Sequence, residues 1–342
     1  RSDEGMSREI WQQFAELGLL AAPFAEELGG LDGGPIDTMV IMEELGRGLV
    51  VEPYLPTVVL CGGILSRHAS KDQQEANLPS LIAGESIWAL AYSEPQGRFN
   101  LADLVTTAKA DGAGFVLNGT KAVVLGGPWA DKLIVSARVS GGQRDSDGIS
   151  LFIVDKAADG VSTQDYPTVD GGRASEVTLE NVAVSADALI GEAGKGLALL
   201  EEAIDFGIGA VSAEAVGHMK QLNDATVEYC KTRKQFGVAI GSFQVLQHRM
   251  VDMFMEYEQS VSMTYMVNMK LSESESERTR AASGAKVQIG KSGRFVGQEA
   301  VQLHGGMGMT EELNVGHYFK RLTMIDAQFG NVDHHLKRFA AA

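Results

Sequence analysis

After Gly196 the sequence becomes a succession of long helical patterns, roughly residues 197–231, 242–271 and 277–303, followed by two shorter ones that end near Phe339. Helices of about 30 residues run on the order of 45 Å at 1.5 Å per residue, which predicts a substantial antiparallel bundle. The middle pattern is crowded with Met250, Met253, Phe254, Tyr257, Met263, Met266 and Met269. Such a stripe could serve a cofactor, but bundle core and subunit interface are the plainer uses of it.

What precedes the bundle is of two kinds. Trp11, Phe14 and Leu17 fall at helical spacing before Gly18, and Pro35 opens a second helix carrying Met39, Ile41, Met42 and Leu45. Ser70 with Gln73 three residues on is a capping-box pattern that starts a helix running to about Ala83. Residues 1–13 are charged and helical in character, so the chain is expected to begin inside a helix, with natural residues missing before Arg1.

From Ser86 the segments are short and rich in β-formers, at 87–92, 133–137 and 149–154, with Asp111-Gly112 and Asn118-Gly119 expected as tight turns between strands. This β character ends near Gly191. The chain therefore reads as α+β: an N-terminal helical domain over 1–85, a middle β-barrel or sandwich domain over 86–192, and a C-terminal helical bundle over 193–342. A chain of 342 residues is long enough for two or three domains.

Charge and composition exclude several functions. The formal charge of −16 removes the basic surface that nucleic-acid binding requires, so any anionic ligand must be met by local Arg, Lys or backbone N–H groups. Cys61 and Cys230 are far apart and suggest neither a disulfide framework nor a zinc site, which fits a reducing cytoplasm. No run of about 18 apolar residues is present, so neither a membrane span nor a secretory signal is expected.

Two clusters carry chemistry. Arg233-Lys234-Gln235-Phe236-Gly237, followed by Ile240, Phe243 and Gln244, separates the first two long helices. An Arg there can pair with a pyrophosphate, an amide can add directional hydrogen bonds and a Phe can cover an aromatic ring, although the same loop could be a plain polar connector. The second cluster, from Gln302 and His304 through Gly305-Gly306 to Thr310, follows the third long helix. Paired glycines let a backbone approach a phosphate or ribityl chain, and they also suit a helix end.

In this order and separation, on a helical domain after a β domain, the two clusters resemble the acyl-CoA dehydrogenase family. The resemblance covers nearly the whole chain, with support from Ala22-Pro23, Gly29-Gly30, Ser93-Glu94-Pro95, Asn118-Gly119-Thr120-Lys121, Leu189-Ile190-Gly191-Glu192 and Gly194-Lys195-Gly196. Within the family the nearest likeness is to the small subunit of pimeloyl-CoA dehydrogenase. The resemblance implies FAD as cofactor and α,β-desaturation of an acyl-CoA, in which a carboxylate takes the α proton and a hydride passes to the flavin. It also implies an electron-transferring flavoprotein as acceptor. By the same carry-over Arg233, Gln235 and Phe236, with Phe243 and Gln244 behind them and Gln302, Gly305 and Gly306 beside them, hold an FAD lying mainly on a neighbouring subunit. Asn331 and Asp333 fall where the family makes further polar contacts to FAD.

The sequence departs from the family where the reaction occurs. The flavin-contacting strand reads Ser93-Glu94-Pro95-Gln96-Gly97-Arg98-Phe99-Asn100, with the bulky Arg98-Phe99 pair in place of small residues. Val123-Val124-Leu125 stands where an aromatic residue and Ile-Thr face the flavin, and Leu125 cannot donate a hydroxyl hydrogen bond. The catalytic glutamate usually precedes a glycine near the C-terminus, but the stretch here runs Asp326-Ala327-Gln328-Phe329-Gly330-Asn331; the alternative position falls in Phe206-Gly207-Ile208-Gly209. Asp205, Glu214 and Asp326 are the nearest acids and are read as structural, because a base displaced by an ångström or two loses about a hundredfold in rate. No catalytic residue and no metal ligand is therefore assigned. The adjacent His334 and His335 point about 100° apart on a helix and are read as surface or interface residues.

Retained cofactor donors beside a lost base imply a heteromer, an α2β2 assembly in which a second acyl-CoA dehydrogenase-like subunit carries the base and FAD is half as abundant as chains. The alternatives are a homo-oligomeric dehydrogenase or oxidase with a re-sited base, and a noncatalytic acyl-CoA-binding scaffold. The acyl group itself is not legible in the sequence.

Overall fold

A computed structural model gives the fold and describes residues 4–342. The expected helical start falls partly on residues 1–3, which lie outside the described residues. From Glu4 the chain turns before Ser7, whose hydroxyl accepts from the Ile10 N–H at 3.2 Å and so caps α1 (Arg8–Glu16). A helix begins where its orphan N–H groups find a cap, and Ser7 supplies it. Trp11 is buried and donates its Nε1–H to the Gly84 carbonyl at 3.1 Å, whereas Leu17 lies past the helix end and is exposed.

The second helix, α2 (Pro35–Arg47), opens at the expected proline. The stretch after it went unread in the sequence, and it forms a fully buried π-helical segment, Leu55–Gly62, that runs into α3 (Gly63–His68). It is buried on every side, so no periodicity announces it. In α4 (Lys71–Ile82) the capping box is complete: the Gln73 N–H donates to Ser70 Oγ at 3.2 Å, and the Ser70 N–H donates to Gln73 Oε1 at 2.9 Å.

Eight strands follow: β1 (Trp88–Ala91), β2 (Thr107–Asp111), β3 (Gly114–Leu125), β4 (Lys132–Arg138), β5 (Ile149–Asp155), β6 (Val161–Pro167), β7 (Arg173–Ser185) and β8 (Leu189–Ile190). They form one sheet in the order β6-β7-β3-β2-β4-β5-β8, with β1 beside β4. Phe115 on β3 and Phe152 on β5 lie with ring centroids 5.0 Å apart although two strands separate them. At ~4.8 Å per strand that span is ~14 Å in a flat sheet, so the sheet curls around its core. Ala89, Leu117, Val124, Leu133, Phe152 and Val177 belong to that single apolar cluster.

One expected turn is not a turn. Asp111-Gly112 does lead from β2 to β3, but Asn118-Gly119 lies inside β3, where the pairing with β7 slips by a residue. Gly119 has φ +152°, and a Cβ there would come within 2.6 Å of the Thr106 Cα, so the dipeptide marks a bulge that only glycine fits. Asn118 Oδ1 accepts from the displaced Asn181 N–H at 2.8 Å.

The helical part comprises α5 (Gly196–Thr232), a hairpin of β9 (Lys234–Gln235) and β10 (Val238–Ala239), α6 (Gln244–Lys270), α7 (Glu275–His304), α8 (Val315–Ala327) and α9 (Val332–Ala341). The chain divides into two compact units, Arg1–Gly34 with Val51–Gly207, and Pro35–Val50 with Ile208–Ala342. Within the second unit α2 crosses α5 at two glycines. A Cβ on Gly46 would stand 2.2 Å from the Glu214 carbonyl oxygen, and one on Gly217 would stand 2.1 Å from that of Glu43. Of the methionine stripe on α6, Met253 is fully buried, while Phe254 and Met269 are exposed.

Candidate cofactor-binding site

The end of α5 is locked to the end of α7. Tyr229 lies against His304 with ring centroids 4.4 Å apart, and Nδ1 of His304 sits 2.8 Å from the Ala300 carbonyl. Burial lowers the His304 pKa, which keeps the ring neutral with Nδ1–H as the donor. The start of α6 is tied in by Arg249, whose Nε and NH2 donate to Glu299 at 2.5 and 3.0 Å. These contacts bring the two sequence clusters to one end of the bundle.

Arg233 follows α5 directly; its N–H donates to the Tyr229 carbonyl at 2.8 Å, and its side chain is exposed with no ion pair among the described residues. In the hairpin Gln235 pairs with Val238, and Phe236 and Gly237 both have positive φ, +53° and +82°, as a two-residue type I′ turn requires. Phe236 is 91% exposed, its ring edge-on to Phe243 at 6.1 Å. Holding a non-glycine residue in that conformation costs about 1–3 kcal/mol, while the side chain gains almost no burial in return. Gln235 is exposed, its amide donating to the Lys234 carbonyl at 2.8 Å, and Phe243 and Gln244 form the cap and first residue of α6.

Gln302 is exposed on the last turn of α7, and its carbonyl accepts from the Gly305 N–H. Gly305 has φ +59° and ψ −143°, a region essentially reserved for glycine. No atom lies within 4 Å of where a Cβ would stand on Gly305 or Gly306. These glycines are therefore not required by internal packing; they leave an open backbone surface beside a free guanidinium, which fits the phosphates and ribityl chain of an FAD.

The other two residues expected at the cofactor are not in this cluster. Asn331 caps α9, its Oδ1 accepting from the His334 N–H at 3.0 Å, and Asp333 is exposed in the first turn. They sit at the level of Lys286, whose Nζ donates to the carbonyls of Ile325, Asp326 and Gly330 at 2.7, 2.9 and 2.7 Å. Lys286 precedes His304 on the same helix by about 27 Å of rise, so the two groups are distant within one chain.

The acid positions are occupied structurally. Burial pushes the Glu214 carboxyl up, but Arg321, donating at 2.5 and 2.8 Å, and His218 outweigh it and hold the group far below the usual carboxylate range. Asp326 accepts from Arg294 at 2.9 Å, and Asp205 is fully buried. Phe329, the residue before Gly330, is buried with φ +62°, and its carbonyl accepts from His335 Nε2 at 3.0 Å. His335 is thus a core residue and not a surface one. Burial and the Lys286 charge push its pKa down to about 3. No group of three or more His, Cys, Asp or Glu among the described residues is placed to hold a metal.

In the first unit, Glu94 of the stretch 93–100 is buried. It accepts from Lys121 Nζ at 2.7 Å, the Val105 and Thr106 N–H groups at 2.7 and 3.1 Å, and the Gln96 amide at 2.9 Å. Sequence reading did not foresee this ion pair. The Glu in Ser93-Glu94-Pro95 and the Lys in Asn118-Gly119-Thr120-Lys121 were its only signal. Arg98 is exposed with φ +50°, and Val123 is exposed with φ +53°, its N–H donating to Glu176 Oε1 at 3.3 Å.

Comparison with known proteins identifies the family. The chain matches the models of the acyl-CoA dehydrogenase N-terminal domain over residues 1–85, the middle domain over 89–182 and the C-terminal domain over 194–342. It is 31% identical to the mitochondrial isovaleryl-CoA dehydrogenase of Solanum tuberosum over 318 residues, 91% of this chain and 76% of that protein. Among solved structures it superposes on the FAD complex of PigA with a TM-score of 0.93 at 27% identity, covering 99% of this chain and 90% of that one. It superposes on a chain of the ChsE4-ChsE5 complex from Mycobacterium tuberculosis with a TM-score of 0.90 at 25% identity, covering 100% and 89%. No helix among the described residues is long and apolar enough to cross a membrane. The chain belongs to the acyl-CoA dehydrogenase family of FAD-dependent oxidoreductases.

Proposed function

We propose that this chain is one subunit of a heteromeric acyl-CoA dehydrogenase, similar in its role to the small subunit of pimeloyl-CoA dehydrogenase. It lends cofactor-binding groups to an FAD seated on a second subunit, in an α2β2 assembly that passes electrons to an electron-transferring flavoprotein. The observation that carries this reading is Phe329: a buried aromatic ring stands before Gly330, where the family places its base, while Glu214 and Asp326 are committed to arginines. The solved ChsE4-ChsE5 complex gives a precedent for two non-identical chains in this fold.

In that assembly Arg233 pairs with the pyrophosphate, Gln235 and Gln302 add directional hydrogen bonds, and Phe236 covers the adenine. Gly305 and Gly306 let the α7 end approach the cofactor. FAD, when bound, supplies the hydride acceptor; abstraction of the α proton belongs to the partner, since this chain presents no free carboxylate at either family position. Asn331 and Asp333, which lie toward the other end of α7 from this cluster, are proposed as further polar contacts to FAD.

The test is the ratio of FAD to protein in a complex co-purified with a second acyl-CoA dehydrogenase-like chain from the same genome. One FAD for every two chains is expected, with little flavin in the isolated subunit. A subunit that alone holds one FAD per chain and desaturates an acyl-CoA would refute the proposal.

A further inference from the structure

Beside the hairpin, within the second unit, the C-terminal half of α5 and the first half of α6 enclose a groove of about 590 Å³. Its lining is apolar at Val227, Met250, Val251 and Phe254, and carries Asp224, Glu228 and one cation, Lys231. Val251 and Phe254 are each 53% exposed, and Val245 and Met255 on the same helix are about as open. Adjacent apolar groups left exposed along a helix of this length mark a surface that another molecule covers.

The charge around the groove indicates which molecule. Carboxylates converge from three helices, Glu43 of α2, Asp224 of α5 and Glu258 of α6. Burial raises the pKa of the Tyr257 hydroxyl, and these three carboxylates add to the rise. The neighbouring cations are engaged: Lys231 with Glu228 at 3.9 Å, Arg47 with Glu44 at 2.8 Å, Lys220 with Asp224 at 2.6 Å, and Arg249 with Glu299. Glu43 and Glu258 form no ion pair among the described residues. A second copy docking here by a twofold axis would set this rim against itself, because such an interface uses the same patch on both sides. The chain's net charge of −16 adds to that repulsion.

We propose that this groove receives a helix of the non-identical partner subunit, one that inserts apolar side chains between Lys or Arg residues, and that its acidic rim turns away a second copy of this chain. This rests on the heteromeric reading above and gives it a surface and a chemistry of recognition. The rim acts mainly on encounter and on choice of partner, and the apolar floor on residence.

The test uses the full chain co-expressed with acyl-CoA dehydrogenase homologues of the same genome, with association measured by sedimentation at low and high salt. Val251→Glu should weaken the heteromer by tenfold or more, and Glu228→Lys with Glu258→Lys by about tenfold at low salt, the change that ~1.4 kcal/mol makes. Both positions of the double variant are exposed, so folding is not at stake. Added salt should weaken the native complex and close the gap to the double variant. FAD bound per complex formed should not change, which separates this inference from the cofactor-lending role. Native-like affinity in both variants would overturn the inference while leaving that role intact. A homodimer of the isolated chain that Val251→Glu dissociates would also overturn it, and a chain that stays monomeric with every homologue would overturn both.

Discussion

Lys121→Met tests the buried pair that organises the segment 93–106. Both side chains are fully buried, with Lys121 Nζ 2.7 Å from Glu94 and 3.1 Å from Ser136 Oγ. Burial pulls the Lys121 pKa down to about 8, and the Glu94 charge opposes that pull. Removing the cation strands a carboxylate that keeps only its two backbone donors and the Gln96 amide, a loss expected to cost about 3–5 kcal/mol. Glu94→Gln with Lys121→Met removes both charges and should recover most of this, ending within about 1–2 kcal/mol of the native protein. Urea unfolding followed by tryptophan fluorescence reads the right part of the molecule, because Trp11, Trp88 and Trp129 are the only tryptophans and all lie in the unit that holds the pair. Amide exchange at Val105 and Thr106 should accelerate in the Glu94→Gln variant, which weakens their acceptor. Burial pushes the Glu94 carboxyl up, but Lys121 and the other donors outweigh it and leave it below its ordinary value of 4.5. Its contribution is therefore complete above pH 4.5 and lost as the pH falls through the lower folded value, and Glu94→Gln should flatten that limb. A Lys121→Met penalty under about 1 kcal/mol, or a double variant no better than the single one, would show that the pair does not hold this segment.

Arg233→Ala in the assembled enzyme should loosen FAD by roughly 10- to 100-fold, the size of a lost hydrogen bond to a charged group of about 1.5–3 kcal/mol, without moving the melting temperature of the isolated flavin-free subunit. Gly306→Val should lower FAD affinity while leaving the isolated subunit folded, since its side chain would enter space that no protein atom fills; flavin absorbance after gel filtration checks both. Lys286→Met strips three buried carbonyls of their donor and should destabilise the bundle by about 3–5 kcal/mol in calorimetry. His335 stays neutral in the folded chain down to about pH 3, whereas the unfolded residue takes up its proton near 6.5. Stability should therefore fall as pH drops through that window, and His335→Gln should reduce the slope in acid titrations.

The parts legible in the sequence were those with a local cause. Ser70 and Gln73 announce a helix start because the cap lies within four residues of chain, and the long bundle helices declare themselves by period and length. Asn118-Gly119 misled because the same dipeptide serves a hairpin turn and a strand bulge, and the deciding fact is the nearness of Thr106 from another segment. Leu55–Gly62 was silent for the opposite reason: a segment buried on all sides carries no alternation to detect. His335 read as surface or interface because adjacent histidines on a helix point apart, and only the Phe329 carbonyl and the α7 lysine reveal it as core. The pairing of Glu94 with Lys121 spans 27 residues and two strand connections, so no local pattern could give it.

The contrast between frame and chemistry bears most directly on function. The loop around Gly330 is firmly held: an ammonium donates to its Gly330 carbonyl and to two carbonyls at the end of α8, a buried imidazole holds the Phe329 carbonyl, and a Cβ on Gly330 would meet His334 at 2.5 Å. A scaffold of that kind fixes the direction of residue 329, yet the side chain it aims is a phenyl ring with no proton to exchange. At the other end of the bundle the reverse holds. Arg233 and Phe236 are fully displayed, and the chain holds Phe236 in an unfavourable backbone conformation without burying it. An exposed aromatic ring and a free guanidinium gain nothing in the isolated subunit, and the proposed contact with an FAD on a second subunit would give both a use.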